Sequence, residues 1–568
     1  MAVTKPLLTK KRLQQIDQTV REAWQFQQQG RLVEAEAGYR AVLALKPNHF
    51  DALHLLGLIH HIRGENAEAL RLVAAALKTR PDYPDALSNL GIILHALNRG
   101  AEALENFDRA LKFKPNSAEV HANRGNAMMQ LRRYPDALTC FDRALMLAPN
   151  YATAHYNRGN ALLALDRLDE ALAAFDTALA LNPNWSEALN NRGNVLIRLG
   201  RVAEAMLAYE AVLKLQPGQP DTLGNIGNAL NTLGRPREAL ALLEQALAAR
   251  PHFPVAHYNA AMTRILLGDY RAGWAEYEWR WQTPWFYPQR RAFNAPLWLG
   301  SEPLDGKTIL LHAEQGFGDI IQFARYVPLV AARGARVILE MPEPLMALMA
   351  GLGGVSELIA KGSGLPKIDF HCPLMSLPHA FGTELATVPA DIPYLAAPAD
   401  RTAKFAGELA TLKSPRIGLV WSGRATHHND LNRSLALAQL APLFEAPASF
   451  VSLQRDLRES DVEALKQFSL LHLGDRLADF ADTAAAISQL DLLISVDTSV
   501  AHLAGAMGKP VWILLPHAPD FRWMLERTDS PWYPSARLFR QQAPSDWAGV
   551  VAQVKAALST LRQSFASK

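Results

Sequence analysis

Small and apolar residues recur along the first half of the chain at a fixed spacing of 34. Alanines keep this step at Ala35, Ala69, Ala103, Ala137, Ala171, Ala205 and Ala239, and glycines at Gly57, Gly91, Gly125, Gly159, Gly193 and Gly227. Prolines keep it at Pro47, Pro81, Pro115, Pro149, Pro183, Pro217 and Pro251. Small residues let two antiparallel helices approach closely, and a proline stops the second helix before the next unit begins. The period therefore predicts an all-α helix-turn-helix solenoid, with seven clear units from near residue 16 to 253 and a degenerate eighth after it. An aromatic four residues after the alanine, as at Tyr39, Phe107, Phe141, Phe175 and Tyr209, is expected to plug the seam of each helix pair.

These residues resemble the tetratricopeptide repeat, over about half of the chain. A second ladder, which a stacking core does not require, keeps the same step at Asn89, Asn123, Asn157, Asn191, Asn225 and Asn259, with Asn126, Asn160, Asn194 and Asn228 three residues further on. Residues three apart share one helix face. In this repeat family the first helix of each unit, which carries both series, lines the concave wall. A row of amides that both donate and accept suits an extended peptide backbone held largely independent of its sequence. The alternative is that the amides are solvated filler or bond one repeat to the next. The arrangement is similar to the asparagine-lined superhelix of protein O-GlcNAc transferase.

From Gly268 the pattern decays, and five of the twelve tryptophans (Trp274, Trp279, Trp281, Trp285, Trp298) crowd the segment that follows. A solenoid cap docked on the next domain is expected there, ahead of a sugar-stacking platform. Beyond Pro296, short apolar runs at 308–312, 335–340, 416–421, 448–453, 491–496 and 510–515 read as strands, with helical stretches such as 319–332 between them. This βαβ alternation predicts two doubly wound α/β units in tandem, joined by loop and a linking helix near 393–414, with hinge motion between them. The expected domains are an extension at 1–15, repeats at 16–253, a degenerate repeat and aromatic joint at 254–302, an acceptor-side α/β unit at 303–400 and a nucleotide-sugar-binding unit at 401–568.

Charge and cysteine content narrow the function class. The net charge of +3 disfavours a nucleic-acid partner. Cys140 and Cys372 are far apart and outside any Cys-x-x-Cys spacing, which disfavours both a disulfide framework and a thiolate zinc site. Lys5, Lys10, Lys11 and Arg12 precede no apolar run of signal-peptide length, and no uncharged run of about 18 residues follows elsewhere. A cytoplasmic protein that is not an integral membrane protein is expected.

Ligands of doubly wound folds bind beyond the carboxyl ends of the strands. That rule selects Gly316-Phe317-Gly318-Asp319, Ser422-Gly423, Gln454, and Asp497-Thr498-Ser499 with His502. The last motif places a hydroxyl pair ahead of a helix whose free N–H groups suit a diphosphate. Asp319 and Asp497 are alternatively helix caps, and His502 a satisfied core histidine. His427-His428-Asn429-Asp430 reads as a solvated loop, because no third ligand group is spaced to complete a metal site.

At these residues the second half resembles two-unit GT-B glycosyltransferases, most closely the bacterial ADP-heptose:lipopolysaccharide heptosyltransferase family, over roughly residues 303–560. The resemblance implies Asp319 as general base on the acceptor hydroxyl, with Ser422, Gly423, Arg433, Asp497, Thr498, Ser499 and His502 around the donor diphosphate. Gln454 stands where that family often has a ribose-contacting glutamate. No Asp-x-Asp occurs between residues 300 and 568, so no metal is expected and the nucleotide sugar is a co-substrate rather than a cofactor. Joined, the halves predict an inverting glycosyltransferase that holds a protein segment in its repeat groove and glycosylates a Ser or Thr hydroxyl. Bacterial enzymes of similar layout act on flagellins and other exported proteins, which the resemblance makes the expected acceptor class. The competing readings are transfer to a lipopolysaccharide or other glycan, and a non-catalytic scaffold with a degenerate GT-B half.

Overall fold

Each 34-residue period folds as two packed helices. The computed structural model describes residues 9–426 and 429–565, and divides into one unit up to Pro217 and a second from Gly218 onward. Among the described residues the first unit holds twelve helices, from Lys10–Gln28 to Val202–Leu215. Second helices end at Leu45, Thr79, Phe113, Leu147, Leu181 and Leu215, two residues before each periodic proline. The periodic alanines of this unit are fully buried, and Tyr39, Phe107, Phe141, Phe175 and Tyr209 are at most 1% exposed. The glycine ladder follows from these rings: a Cβ on Gly125 would lie 2.6 Å from Phe141, and one on Gly193 2.4 Å from Tyr209. Glycine is thus the space that the plugs Phe107, Phe141, Phe175 and Tyr209 occupy. First helices close through a left-handed residue, glycine at Gly30, Gly64 and Gly200, but Asn98, Arg132 and Asp166 at the same register.

The second unit begins with helices Pro220–Thr232, Pro236–Ala249, Pro254–Leu267 and Tyr270–Tyr277. Two of the expected boundaries therefore move. The first helix starts at Lys10 and buries Ile16, so residues 10–15 are helix rather than extension. The last two helix pairs fall in the second unit with the α/β half, and Ala261, Ile265, Tyr270, Trp274 and Tyr277 of the last pair share its hydrophobic core. Trp274 is the centre of that junction, with ring contacts to Phe323 at 5.5 Å, Phe521 at 5.8 Å and Trp532 at 6.5 Å. Trp298 is fully buried and donates to the Glu302 carbonyl, while Trp279 stacks on His257. These three are packed as a cap is; Trp285 is exposed.

Two all-parallel sheets follow. The first contains β1 (Thr308–His312), β2 (Arg336–Met341), β3 (Glu357–Ala360) and β4 (Phe370–Pro373) in the order β3-β2-β1-β4. The second contains β5 (Arg416–Val420), β6 (Ser449–Ser452), β7 (Leu470–His472), β8 (Leu492–Val496), β9 (Val511–Leu515) and β10 (Ala536–Arg540), in the order β10-β9-β8-β5-β6-β7. Strand order in the second sheet reverses between β5 and β8, which makes the gap beyond their carboxyl ends the natural ligand position. The linking helix is Ala399–Ala410, which straddles the expected boundary at 400. The expected helix at 319–332 is broken into Phe317–Phe323, a 3-10 turn and Val327–Ala331, since Pro328 has no N–H to continue a ladder. Among the described residues no helix is long and apolar enough to cross a membrane.

Candidate active site

The loops after β1, β5, β6, β8 and β9 line one cavity of about 530 Å³. All nine residues predicted for catalysis and donor binding reach it: Asp319, Ser422, Gly423, Arg433, Gln454, Asp497, Thr498, Ser499 and His502. Their individual roles in the structure differ.

Arg433 has no carboxylate partner among the described residues. Its Nη1 donates to the Asp497 carbonyl at 3.1 Å, and its Nε is buried without a hydrogen bond. The guanidinium lies against Gly423, where a Cβ would fall 2.6 Å from Nη2, so the glycine is what lets the cation approach. Ser422 Oγ is likewise buried and unbonded. Thr498 is the N-cap of the helix Ser499–Ala506, and its Oγ1 sits 3.1 Å from Ser495 Oγ rather than on the helix. An unpaired cation, an orphaned hydroxyl and open helix N–H groups thus line one cavity, and all three favour an anion.

Gln454 departs from its expected role. Its Oε1 accepts from the amides of Trp421 and Ser422, and its Nε2 donates to the carbonyls of Ser422 and Asp456, each at 3.1 Å. Two acceptor and two donor positions exhaust a carboxamide. Gln454 is therefore a staple between the loops after β5 and β6, with no hydrogen bond left for a ribose. His502 is also partnered. Its Nδ1 lies 3.0 Å from Tyr533 Oη, its Nε2 3.7 Å from Asp497 Oδ1, and its ring stacks on Trp523. Burial lowers its pKa, against the opposing pull of Asp497. Burial pushes the Asp497 carboxyl up, but the neighbouring His502 and the Arg522 charge outweigh it and hold the carboxyl below its ordinary range. Asp497 is not the helix cap; it is a buried anion that His502 supports.

Asp319 is the third residue of the helix Phe317–Phe323, and its Oδ2 accepts from the Gly316 amide at 3.0 Å. It thus serves as a cap, yet it also lines the cavity and forms an ion pair with Arg522. Gly318 lets this loop pass His502, since a Cβ there would lie 2.9 Å from its ring. The loop is fixed from behind by the aromatic joint: Tyr277 Oη accepts from Gln315 Nε2 at 2.6 Å, and buried Arg280 donates to Glu314 at 3.0 Å and Ser376 at 2.8 Å. Burial raises the Glu314 carboxyl to about 7, against the opposing pull of Arg280.

Arg522 and Asp520 escaped the sequence reading. Arg522 binds Gln322 Oε1 at 2.7 Å through Nε, Asp319 through Nη2 and Asp520 at 2.8 Å through Nη1. Both follow β9, so the same rule applied to the expected strand at 510–515 would have selected them. Of the segment read as a solvated loop, His427 and His428 lie outside the described residues. Asp430 is buried, accepting from Ser434 at 2.6 Å and paired with Arg458, so it is not solvated. Among the described residues no group of three or more His, Cys, Asp or Glu side chains is placed to hold a metal ion. At the carboxyl end of the first sheet, His312 Nε2 lies 3.3 Å from His371 Nδ1, Phe293 stacks on His371, and Arg291 pairs with buried Glu340.

The asparagines form a separate set on the first helices. In the first unit Asn157 donates to Asn126, and Asn191 to Asn160, each at 2.9 Å, so part of the ladder does bond one repeat to the next. Asn89 meets His54 at 2.9 Å and Asn194 accepts from Tyr209 at 2.8 Å, while Asn123 is half-buried. In the second unit Asn225 and Asn259 are half-buried and Asn228 is exposed. Asn191 donates to Tyr156 as well, at 3.2 Å, so the bonded amides of the first unit use one or two of their four hydrogen-bonding positions.

Tetratricopeptide-repeat models match residues 20–75, 123–185 and 167–220 in one version, 60–127 in a second and 221–250 in a third. Protein FlbA of Caulobacter vibrioides is 24% identical over 319 residues, which are 52% of this chain and 53% of FlbA. The match thus spans about half the length of that relative. A tetratricopeptide repeat protein from Parabacteroides merdae is 21% identical and covers 44% of this chain and 99% of its own, with a TM-score of 0.37. PilF of Pseudomonas aeruginosa is 21% identical, covering 36% and 94%, with a TM-score of 0.33. The helix pairs that open this chain are tetratricopeptide repeats, arranged as an all-α solenoid.

Proposed function

We propose that the protein is an inverting glycosyltransferase that moves a sugar from a nucleotide-sugar donor to a Ser or Thr hydroxyl of a protein acceptor recruited by its repeats. The observation that carries this reading is the anion-seeking set in the cavity: unpaired Arg433, orphaned Ser422 Oγ and the open N-terminus of the helix Ser499–Ala506, lined up at the strand-order switch of the second sheet. A departing nucleoside diphosphate requires such a site, because negative charge grows on it as the glycosidic bond breaks. Two parallel-sheet units around the cavity agree with the GT-B class that the motifs resemble. A carboxylate bound to Arg522 takes the acceptor proton, and the resemblance names Asp319. One-step displacement then inverts the anomeric carbon.

The test is calorimetric titration of the full chain with UDP, GDP, ADP and CMP and their sugar conjugates. One nucleotide is expected to bind, and Arg433→Ala to weaken it about 10- to 100-fold, the worth of a charge-assisted phosphate contact. Absence of binding across the panel overturns the transferase reading in favour of a repeat scaffold.

A further inference from the structure

We propose that Asp520, rather than Asp319, is the proton acceptor of the transfer, and that Arg522 is the positioning residue that sets the two carboxylates apart; this rests on the glycosyl-transfer reading. Both aspartates line the cavity and both bind Arg522. Their free valences differ. In Asp319 each oxygen already accepts a hydrogen bond, Oδ1 from Arg522 and Oδ2 from the Gly316 amide. Asp520 gathers both of its donors, Arg522 Nη1 and the Arg522 amide, on Oδ1 alone. Its Oδ2 carries no hydrogen bond within the described residues, and its side chain is 29% exposed against 18% for Asp319. Each carboxylate oxygen can accept two hydrogen bonds, so Asp319 keeps one position on each oxygen, whereas Asp520 keeps a wholly unbonded oxygen and is the more open to an incoming proton.

The surroundings act in the same direction. Asp520 faces Arg522 on its own turn, Asp319 from the helix Phe317–Phe323, and Asp497, backed by His502, from the start of the helix Ser499–Ala506. The Tyr258 phenol on the helix Pro254–Leu267, which packs against this turn, feels the charges of both Asp520 and Asp319. Burial, reinforced by the neighbouring anions, raises the Asp520 carboxyl to about 6 despite Arg522. A base is most useful when it titrates close to the working pH.

In the step itself the acceptor O–H bond breaks and its proton moves to Asp520 Oδ2 as the oxygen bonds to the anomeric carbon. The bond from that carbon to the diphosphate oxygen breaks, and its electron pair leaves with the nucleoside diphosphate. The proton returns to water from Asp520 between turnovers.

The experiment measures nucleotide release from UDP-N-acetylglucosamine, GDP-mannose, ADP-glucose and CMP-N-acetylneuraminic acid, with water as acceptor, from pH 5 to 9 on the full chain. Calorimetry with the parent nucleotide runs in parallel. The rate is expected to fall on the acid side with a slope of one. Asp520→Asn should lose that limb and about 100-fold or more in kcat while nucleotide affinity is kept. Asp520→Glu should restore the limb, and Asp319→Asn should retain it. A limb that survives in Asp520→Asn, or disappears in Asp319→Asn alone, overturns the assignment. A second readout needs no turnover: UDP, GDP, ADP and CMP are titrated at pH 6 in MES and in histidine buffer, whose ionisation enthalpies differ. Proton uptake on binding is expected in the wild type and in Asp319→Asn and not in Asp520→Asn, and uptake unchanged by Asp520→Asn also overturns it. Failure of every nucleotide to bind refutes the transferase reading itself, whereas binding with an unmoved limb or uptake refutes Asp520 alone.

Discussion

Replacing Gln454 by Met keeps the length of the side chain and removes its amide. Four backbone groups then lose a partner: the amides of Trp421 and Ser422 and the carbonyls of Ser422 and Asp456. An unsatisfied buried group costs about 1–3 kcal/mol. The Asp456 carbonyl belongs to an exposed residue and rehydrates, which leaves three groups and a cost of about 3–5 kcal/mol once partial hydration from the cavity is allowed. The assay is hydrogen exchange of peptides spanning residues 419–424, read as local opening, because one global unfolding energy is not defined for a chain of two units. Protection should fall by about 100- to 5,000-fold without any ligand present. Gln454→Glu should fall between wild type and Met, since it retains the acceptor and loses both donors. If Gln454 were a ligand contact, the variant would weaken nucleotide binding and leave exchange in the free protein unchanged. That result would refute the staple.

Arg132 is exposed and holds a φ of +57° at a register where other repeats use glycine. Arg132→Gly should therefore stabilise the first unit by about 0.5–1 kcal/mol, the left-handed strain less the added chain entropy, measured by urea denaturation. Gly193→Ala should destabilise it by about 1–3 kcal/mol, because the new methyl meets the Tyr209 ring. Burial lowers His312 to about 3 and His371 to about 4. The unfolded chain binds protons that the fold refuses below the ordinary histidine pKa, so the second unit should lose stability as pH falls from about 6.5 towards 4. His312→Leu should flatten that slope in urea melts taken across the same range.

The repeat period was legible because every unit solves the same packing problem, and a ring such as Phe141 can be seated only opposite a glycine such as Gly125. Strand β1 was read to its exact ends, since all but its first residue are buried. The strands β3, β4, β7 and β10 were missed; all four are sheet edges, only partly buried, and none shows a long apolar run or a clear alternation. The strand-end rule selected eight of the nine predicted cavity residues and the family resemblance supplied Arg433, while the cavity residues after β7 and β9, strands to which the rule was not applied, were missed. The parts played by Gln454 and His502 were hidden for a different reason. Their partners are backbone groups or residues distant in sequence, such as Tyr533, and no local pattern encodes them. The asparagine spacing was visible, but which amides bond one another depends on how consecutive helices stack.

The packing of Trp274 bears on how the chain is divided for experiment. Its ring meets Phe323 beside the first sheet, and Phe521 and Trp532 from the second. A fragment cut where the repeat pattern fades, near residue 288, would leave those faces bare, with Tyr270, Trp274 and Tyr277 removed from the core they complete. Exposed aromatic surface of that kind drives self-association. A fragment of the second unit should instead begin at Gly218, where the chain itself divides, and so keep the helices Pro254–Leu267 and Tyr270–Tyr277, whose sequence belongs to the solenoid and whose side chains complete the α/β core.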